Sequence, residues 1–430
     1  METRPRLDAV LDDLTWRRTI ALNTDADALR SAMAAGPITA YCGFDPTAPS
    51  LHFGNLVQLV TLRRLQLAGH KPLGLVGGAT GLIGDPSGRS AERTFNDPAV
   101  VADWVEAIRP QVERLLSFEG DNAALIVNNL DWTAPMAAID FLRDIGKHFS
   151  VSRMLAKESV SARLEGGGIS YTEFSYQILQ AMDYLELYRR YACTLQTGGS
   201  DQWGNLTAGV DLIRRVEGAT VHALATPLLT RPDGSKFGKS DGINIWLDAS
   251  LTSPYAFYQF FLNVADSVVG EYLRCFSFRR HEEIEVLEAE AVSRPEARSA
   301  QRALAREVTA LVHGADEVER AEAASAALFG SGELQELDEA GLVAAVAELP
   351  RTAVADGEPR TMVDLLLASG LASSRGDARR LIGEGGAYLN NRKITEPAAE
   401  PATDDALHGR WLILRRGKRT LAVVEVERPA

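Results

Sequence analysis

Cysteine is scarce in this chain: the three present, Cys42, Cys193 and Cys275, stand far apart with no CxxC pairing. That spacing speaks against a disulfide framework and a cysteine-built zinc site, and the thiols are expected to be reduced and partly buried. No apolar run approaches the roughly 20 residues that a membrane span requires. The start, METRPRLDAVLDDLTWRR, has no apolar signal-peptide core, and its aspartates argue against a transit peptide. It reads as an amphipathic helix on a cytoplasmic protein with no membrane partner. The glycine-rich segment Gly77 to Arg89 is not a GxGxxG fingerprint, and no GK[ST] follows it, so NAD binding and P-loop chemistry are set aside.

Positive charge is also short overall, with a net charge of −13 over 430 residues. It is unevenly spread. Between Ala372 and Thr420 ten Lys or Arg stand against six Asp or Glu, whereas acid collects between His281 and Glu348. A basic module on an acidic body suits a protein that holds RNA locally.

What is present divides into regions. Ile38 to Phe44 reads as a buried strand, Gly54 to Ala68 as a helix and Lys71 to Gly77 as the next strand. Leu56, Leu59, Val60 and Leu67 give that helix a core-facing stripe, and Gly69 is its expected C-terminal cap. This βαβ unit predicts a parallel sheet with a right-handed crossover, and Ala124 to Val127 reads as a further central strand. Residues 231–350 are expected to hold a lysine-containing loop and then a small helical domain, rich in Ala, Glu, Leu and Arg. RTAVADGEP, 351–359, has linker composition. The remainder, 360–430, is expected to place helices at Thr361 to Ser369 and Ser374 to Gly383 before two strands joined by a basic turn.

Four segments carry chemistry. In YCGFDPTAPSLHFGN a strand ends at Asp45 and His52-Phe53-Gly54-Asn55 opens a helix. A helix N-terminus offers free N–H groups and partial positive charge to an anion. Gly54 admits a nucleotide close to the backbone, while His52 and Thr47 supply donors for phosphate oxygens. In GGATGLIGDPSGR the glycines call for positive φ or close contact with another molecule, and Asp85 is a candidate buried carboxylate for an ammonium group.

In YTEFSYQILQAMDYLELY, residues Tyr176, Gln180 and Asp183 share one helix face. A tyrosine, an amide and a carboxylate make a polar pocket wall, although a solvated face has the same pattern. GGSDQWGN then brings Asp201 and Gln202 to the mouth of a second glycine-rich turn. In GSKFGKSDG the lysines Lys236 and Lys239, followed by Ser240, form a cationic loop able to close on a triphosphate. A bare KxxK would be an exposed turn; its flanks set this one apart.

These strings resemble a known family. HFGN at the first βα junction resembles the HIGH signature of class I aminoacyl-tRNA synthetases, with Asn55 where a second His is usual. Asn keeps a donor and an acceptor there and loses any cationic role. KFGKS resembles the KMSKS loop. YCGFDPTA, GGATGLIGDPSG, TEFSYQ, GGSDQWGN and KFGKS, in this order, resemble the bacterial tyrosyl-tRNA synthetases over essentially the whole chain.

The resemblance implies a Rossmann-like doubly wound parallel sheet in residues 1–230, a helical anticodon-binding domain within 231–350, and an α+β alpha-L RNA-binding module in 360–430. It implies that Tyr41 and Asp183 bind the tyrosine phenol, that Asp85, Tyr176 and Gln180 hold its ammonium, and that Gly43, Asp45, Asp201 and Gln202 line the tyrosyl-adenylate. By the same resemblance Thr47 and His52 meet the γ-phosphate, Gly54 and Asn55 belong to the ATP site, and Lys236, Lys239 and Ser240 close over the phosphates. ATP is then a substrate that carries Mg²⁺ with it, with no protein metal site. The other implied partners are L-tyrosine, tRNA(Tyr) and a second copy of the chain. In the C-terminal module Arg375, Arg379, Arg380, Arg392, Lys393, Arg415, Arg416 and Lys418 are the candidates for RNA phosphates. The rivals are a tryptophanyl-tRNA synthetase, another nucleotidyl transferase with a HxGH-like loop, and a non-catalytic RNA-binding relative.

Overall fold

A computed structural model describes residues 6–86, 96–155, 160, 168–229, 244–329, 333–347, 349–355, 361–417 and 420–427. The chain forms two compact units, Met1–Thr252 with Asn263–Leu304, and Ser253–Leu262 with Ala305–Ala430. Among the described residues no helix is long and apolar enough to cross a membrane.

The first unit is built on a six-stranded sheet of β1 (Leu22–Asn23), β2 (Thr39–Phe44), β3 (Lys71–Val76), β4 (Leu125–Asn128), β5 (Cys193–Gly199) and β6 (His222–Thr226), in the order β1-β6-β5-β2-β3-β4. All pairings are parallel except that of β1 with β6. Every residue of β2 except Gly43 is buried, as a strand covered on both faces requires. From β2 the chain adds β3 and β4 on one side, then β5 and β6 on the other. The crevice at the carboxyl ends of β2 and β5 is therefore the topological switch point, where open α/β sheets bind ligands.

The helix expected after β2 runs Phe53–Leu67 and buries Leu56, Leu59 and Val60. Leu67, expected in the core stripe, is 61% exposed, whereas Leu65 in the same last turn is buried. Gly69 has φ +102°, the left-handed conformation that ends such a helix without a Cβ penalty. The core of this unit joins Tyr41 and Leu73 of the sheet to Met182, Tyr184 and Leu185 of the helix Tyr171–Tyr191. All three cysteines are buried and unbridged.

The stretch expected to be helical contains no strand among its described residues, and its helices divide between the units: Asp266–Phe276 and His281–Ser293 in the first, Ala315–Phe329 and Glu339–Val346 in the second. The second unit also holds a five-stranded sheet of β7 (Arg351–Ala355), β8 (Ala387–Leu389), β9 (Arg392–Lys393), β10 (Trp411–Arg416) and β11 (Thr420–Glu427), in the order β7-β11-β10-β8-β9. The helices Met362–Ala368 and Arg375–Gly383 pack on it, capped by Thr361 and Ser374.

β7 corrects the expectation of a linker beginning at Arg351. Arg351–Ala355 pairs in parallel with β11 and buries Val354. Linker composition misled because the partner strand lies some 70 residues away in sequence, so local propensity alone does not reveal it.

Candidate active site

At the carboxyl end of β2, Asp45 accepts from Thr80 Oγ1 and from the Tyr176 hydroxyl, each at 2.6 Å. Gly77 makes room for this, since a Cβ there would collide with Asp45 Oδ1 and Thr80 Oγ1. The Gly77–Asp85 segment thus wraps the carboxylate through its glycine.

His52 is the N-cap of the helix Phe53–Leu67. Its Nδ1 accepts from the Gly54 N–H at 3.1 Å, and Asn55 Oδ1 accepts from the His52 N–H at 3.0 Å. This reciprocal cap accounts for an asparagine at the fourth position of HFGN: its acceptor closes the helix and its amide hydrogens stay available. Burial lowers the His52 pKa and favours the neutral ring. With Nδ1 accepting, the ring proton of neutral His52 sits on Nε2, where it is a donor.

Beside this helix start the chain returns at Asn244, just beyond the KFGKS string. Ile245 O accepts from Phe53 N at 2.9 Å, and Leu247 N donates to Leu51 O at 2.8 Å. The exit of that string is therefore fastened to HFGN. Lys236, Lys239 and Ser240 lie outside the described residues.

The helix Tyr171–Tyr191 supplies the opposite wall, opened by Ser170, which accepts from Glu173 N. Asp183 is buried and accepts from Asn129 Nδ2 at 2.9 Å and Trp132 Nε1 at 2.8 Å. Burial pushes its pKa up to about 7 against the pull of those two donors. Burial also holds the Tyr41 and Tyr176 phenols well above their ordinary value, so both stay protonated. Two side-chain atoms, Tyr41 Oη and Gln180 Oε1, are buried without a hydrogen-bond partner.

Asp85, expected as a buried carboxylate, is partly exposed and accepts from Gln202 Nε2 at 2.6 Å. It follows the turn at Gly84, φ +84°, which brings it toward the cavity mouth. Asp201 is exposed on the short helical turn Ser200–Gln202 after β5.

One cavity of about 400 Å³ joins these parts. Its lining contains Tyr41, Gly43, Asp45, Thr47, His52, Gly54, Asn55, Asp85, Tyr176, Gln180, Asp183, Asp201 and Gln202, together with Asn244 and Ile245. Every described residue expected at the tyrosine or ATP site is therefore brought to one place. Sequence reasoning missed Asn129, Trp132 and Thr80. Asn129 donates to Asp183 and to Thr80 Oγ1, at 2.9 Å each, while its Oδ1 accepts from Ala79 N at 2.7 Å. The available signal was NNLDW, a string that ends β4 and continues just beyond it, at the edge of the sheet where ligands bind.

The comparisons agree with this geometry. Residues 33–330 match the family described as tRNA synthetases class I (W and Y), and residues 342–424 match the tyrosine–tRNA ligase SYY-like C-terminal domain. The chain is 64% identical over 419 residues to the tyrosine–tRNA ligase of Streptomyces avermitilis, covering 97% of this chain and 99% of that protein. The chain belongs to the tyrosyl-tRNA synthetases. The tyrosine–tRNA ligase of Acidothermus cellulolyticus is 60% identical over 420 residues, 97% of this chain and 99% of that one. Among solved structures, a C-terminally truncated mitochondrial tyrosyl-tRNA synthetase from Aspergillus nidulans superposes with a TM-score of 0.67 at 30% identity. That match covers 73% of this chain and 92% of the other.

Within this synthetase the RNA candidates fall in the second unit. Arg375, Arg379 and Arg380 are on the helix Arg375–Gly383, Arg392 and Lys393 form β9, and Arg415 and Arg416 end β10. Lys418 lies outside the described residues.

Proposed function

We infer that this chain is a tyrosine–tRNA ligase that forms tyrosyl-adenylate from L-tyrosine and ATP and passes the tyrosyl group to tRNA(Tyr). The observation that carries the reading is the pair of unpartnered buried atoms, Tyr41 Oη and Gln180 Oε1, in one cavity with Asp183. A buried polar atom without a partner is costly, and a substrate that supplies the partner recovers that cost. The phenol of tyrosine satisfies Tyr41 and Asp183, and its ammonium meets Gln180, Tyr176 and Asp85. Phenylalanine leaves the phenol partners unmet.

The nucleotide lies across the switch point. Gly43, Asp45, Asp201 and Gln202 line the adenylate, and Thr47, the His52 Nε2–H, Gly54 and Asn55 face the phosphates. Lys236, Lys239 and Ser240 are read as closing over the phosphates, and Mg²⁺ enters with ATP as part of the substrate. The tyrosine carboxylate attacks the α-phosphorus, pyrophosphate leaves, and a ribose hydroxyl of the terminal adenosine of tRNA then attacks the adenylate carbonyl. No protein nucleophile is required; positioning and charge stabilisation carry the acceleration.

The reading extends to a cytoplasmic homodimer, as the resemblance of the sequence motifs implies. The basic residues of the second unit are read as contacts to tRNA phosphates.

The test is pyrophosphate exchange into ATP, run with each of the twenty amino acids and without tRNA. Exchange with tyrosine alone is expected. Exchange with tryptophan would move the chain to that specificity, and no exchange from folded protein would overturn the enzyme reading.

A further inference from the structure

Asp183 is the carboxylate read as acceptor of the substrate phenol, and burial pushes its pKa up to about 7. Near neutral pH such a group is only partly ionised, so a stronger donor to it raises the share of protein ready to accept a phenolic hydrogen. Its two donors, Asn129 and Trp132, do not titrate. The titratable groups that act on it come from two elements. Asp45, beyond β2, and Glu186, on its own helix, oppose its ionisation. Tyr41 on β2 and Tyr176 on its own helix stay protonated.

Trp132 is buried on the short helical turn Leu130–Thr133 after β4. The edge of its indole gives the Nε1–H to Asp183 at 2.8 Å. Over the ring, 5.4 Å from its centre, stands the guanidinium of Arg190. Arg190 belongs to the last turn of the helix Tyr171–Tyr191, and its Nε lies 2.9 Å from Glu186 Oε2, which fixes the head group above the indole. Glu186 also meets Arg189 at 3.3 Å, so its charge stays covered when Arg190 is lost. A helix C-terminus favours any cation, and Arg189 meets that preference while tying to Glu217 at 2.7 Å. Arg190 differs in crossing to another segment and lying on its ring.

We propose that Arg190 is a positioning residue for tyrosine activation: its guanidinium on the Trp132 ring strengthens the indole N–H bond to Asp183 and so keeps that carboxylate charged and aimed at the substrate phenol. The proposal rests on the reading of the cavity as the tyrosine site. Neither Arg190 nor Trp132 lines that cavity, so the arginine acts through the indole and not on the substrate. A cation on the ring face draws electron density from the π system and leaves the N–H at the ring edge more positive. A planar guanidinium suits such a face better than a lysine ammonium does.

The experiment follows tyrosine-dependent pyrophosphate exchange of the full-length enzyme across the neutral pH range and reads the midpoint of kcat/KM for tyrosine. Arg190→Gln is expected to raise that midpoint by a few tenths of a pH unit, with KM for ATP unchanged. Arg190→Lys keeps a cation beside the ring and should return the midpoint toward that of the parent. In a Trp132→Phe background, which lacks the indole N–H, Arg190→Gln should add no further shift. Circular-dichroism melts of the Arg190 variants should match the parent, because the side chain is half-exposed. An unmoved midpoint in folded Arg190→Gln overturns the proposal. So does an equal shift in Arg190→Lys, which would exclude the cation as the cause, or in the Trp132→Phe background, which would mean that the charge bypasses the indole. Should Trp132→Phe not fold, the contrast between the Gln and Lys variants carries the test. Failure of the tyrosine-site reading looks different: the unmodified enzyme would show no tyrosine-dependent exchange.

Discussion

Asn129 donates one amide hydrogen to Asp183 across 2.9 Å, and both residues are buried. Its other hydrogen goes to Thr80, whose hydroxyl donates to Asp45 at 2.6 Å. One asparagine thereby fixes the carboxylate read as the phenol acceptor and, through Thr80, the aspartate at the nucleotide side.

Asn129→Ala is expected to impair tyrosine activation. Removing a donor from a buried carboxylate costs about 1–3 kcal/mol, a fall in kcat/KM for tyrosine of roughly 5- to 150-fold. Pyrophosphate exchange at varied tyrosine and varied ATP checks it. A variant with unchanged kinetics for both substrates would show that Asp183 holds its place without the amide.

Asp183 also sets a pH dependence. Burial raises its pKa to about 7, opposed by the hydrogen bonds from Asn129 and Trp132. An ionised Asp183 accepts the substrate's phenolic hydrogen, so kcat/KM for tyrosine is expected to rise with pH through about 7 and then level off. The stability effect has the opposite sign. Between the ordinary carboxylate value of about 4 and the raised value, the folded chain holds a proton that the unfolded chain has released. This group's contribution to stability therefore falls as pH rises from about 4 to 7. Asp183→Asn should flatten both profiles, as read by exchange kinetics and urea melts. A parent profile already flat from about pH 6 to 8 would contradict the assignment.

Tyr41→Phe separates stability from specificity. The Tyr41 hydroxyl is buried without a partner, so its removal relieves an unmet donor, and the ligand-free protein is expected to melt no lower than the parent. Loss of one hydrogen bond to the phenol, about 0.5–1.5 kcal/mol, should lower kcat/KM for tyrosine roughly 2- to 10-fold and narrow the margin over phenylalanine. Calorimetry of the ligand-free protein gives the first reading, and pyrophosphate exchange with tyrosine and with phenylalanine gives the second. A clear destabilisation of the free protein would mean the hydroxyl has a partner.

Much of this was legible before the fold was known, and the reason is local. HFGN is a strand end, a cap and a helix start within a few residues, so its structure follows from its own chemistry. The polar face of Tyr176, Gln180 and Asp183 follows from helical periodicity alone. Asn129 and Trp132 are different, because each meets Asp183 more than fifty residues along the chain and neither carries a periodic signal. β7 was hidden for the same reason, since only β11 makes it a strand. The basic module was visible as composition, but composition does not tell a paired arginine from an unpaired one. Arg375 and Arg379 differ only in that Asp364 lies beside the first.

The helix bearing HFGN is also anchored at its far end. Arg64, near its C-terminus and buried, donates through Nη2 to Cys275 O at 3.0 Å and Ser277 O at 2.7 Å, and its Nη1 lies 3.6 Å from Asp13 Oδ2. Asp13 also pairs with the buried Arg17 at 2.8 Å and meets His281 Nε2 at 2.7 Å. Burial pushes the Asp13 pKa up, but the His281 hydrogen bond and the arginine charges outweigh it and hold the carboxyl below its usual value. A depressed carboxylate stabilises the fold above the ordinary value of about 4, and that contribution is lost as pH falls through the lowered value. Asp13→Ala removes a counter-charge shared by two buried guanidinium groups, and breaking such a cluster costs roughly 3–5 kcal/mol. Urea melts at neutral pH are expected to show that loss, and the gap between variant and parent should narrow once the medium is acid enough to protonate Asp13. A gap that stayed constant from pH 7 into that acid range would mean that packing of the N-terminal helix, rather than the Asp13 charge, holds this end of the HFGN helix.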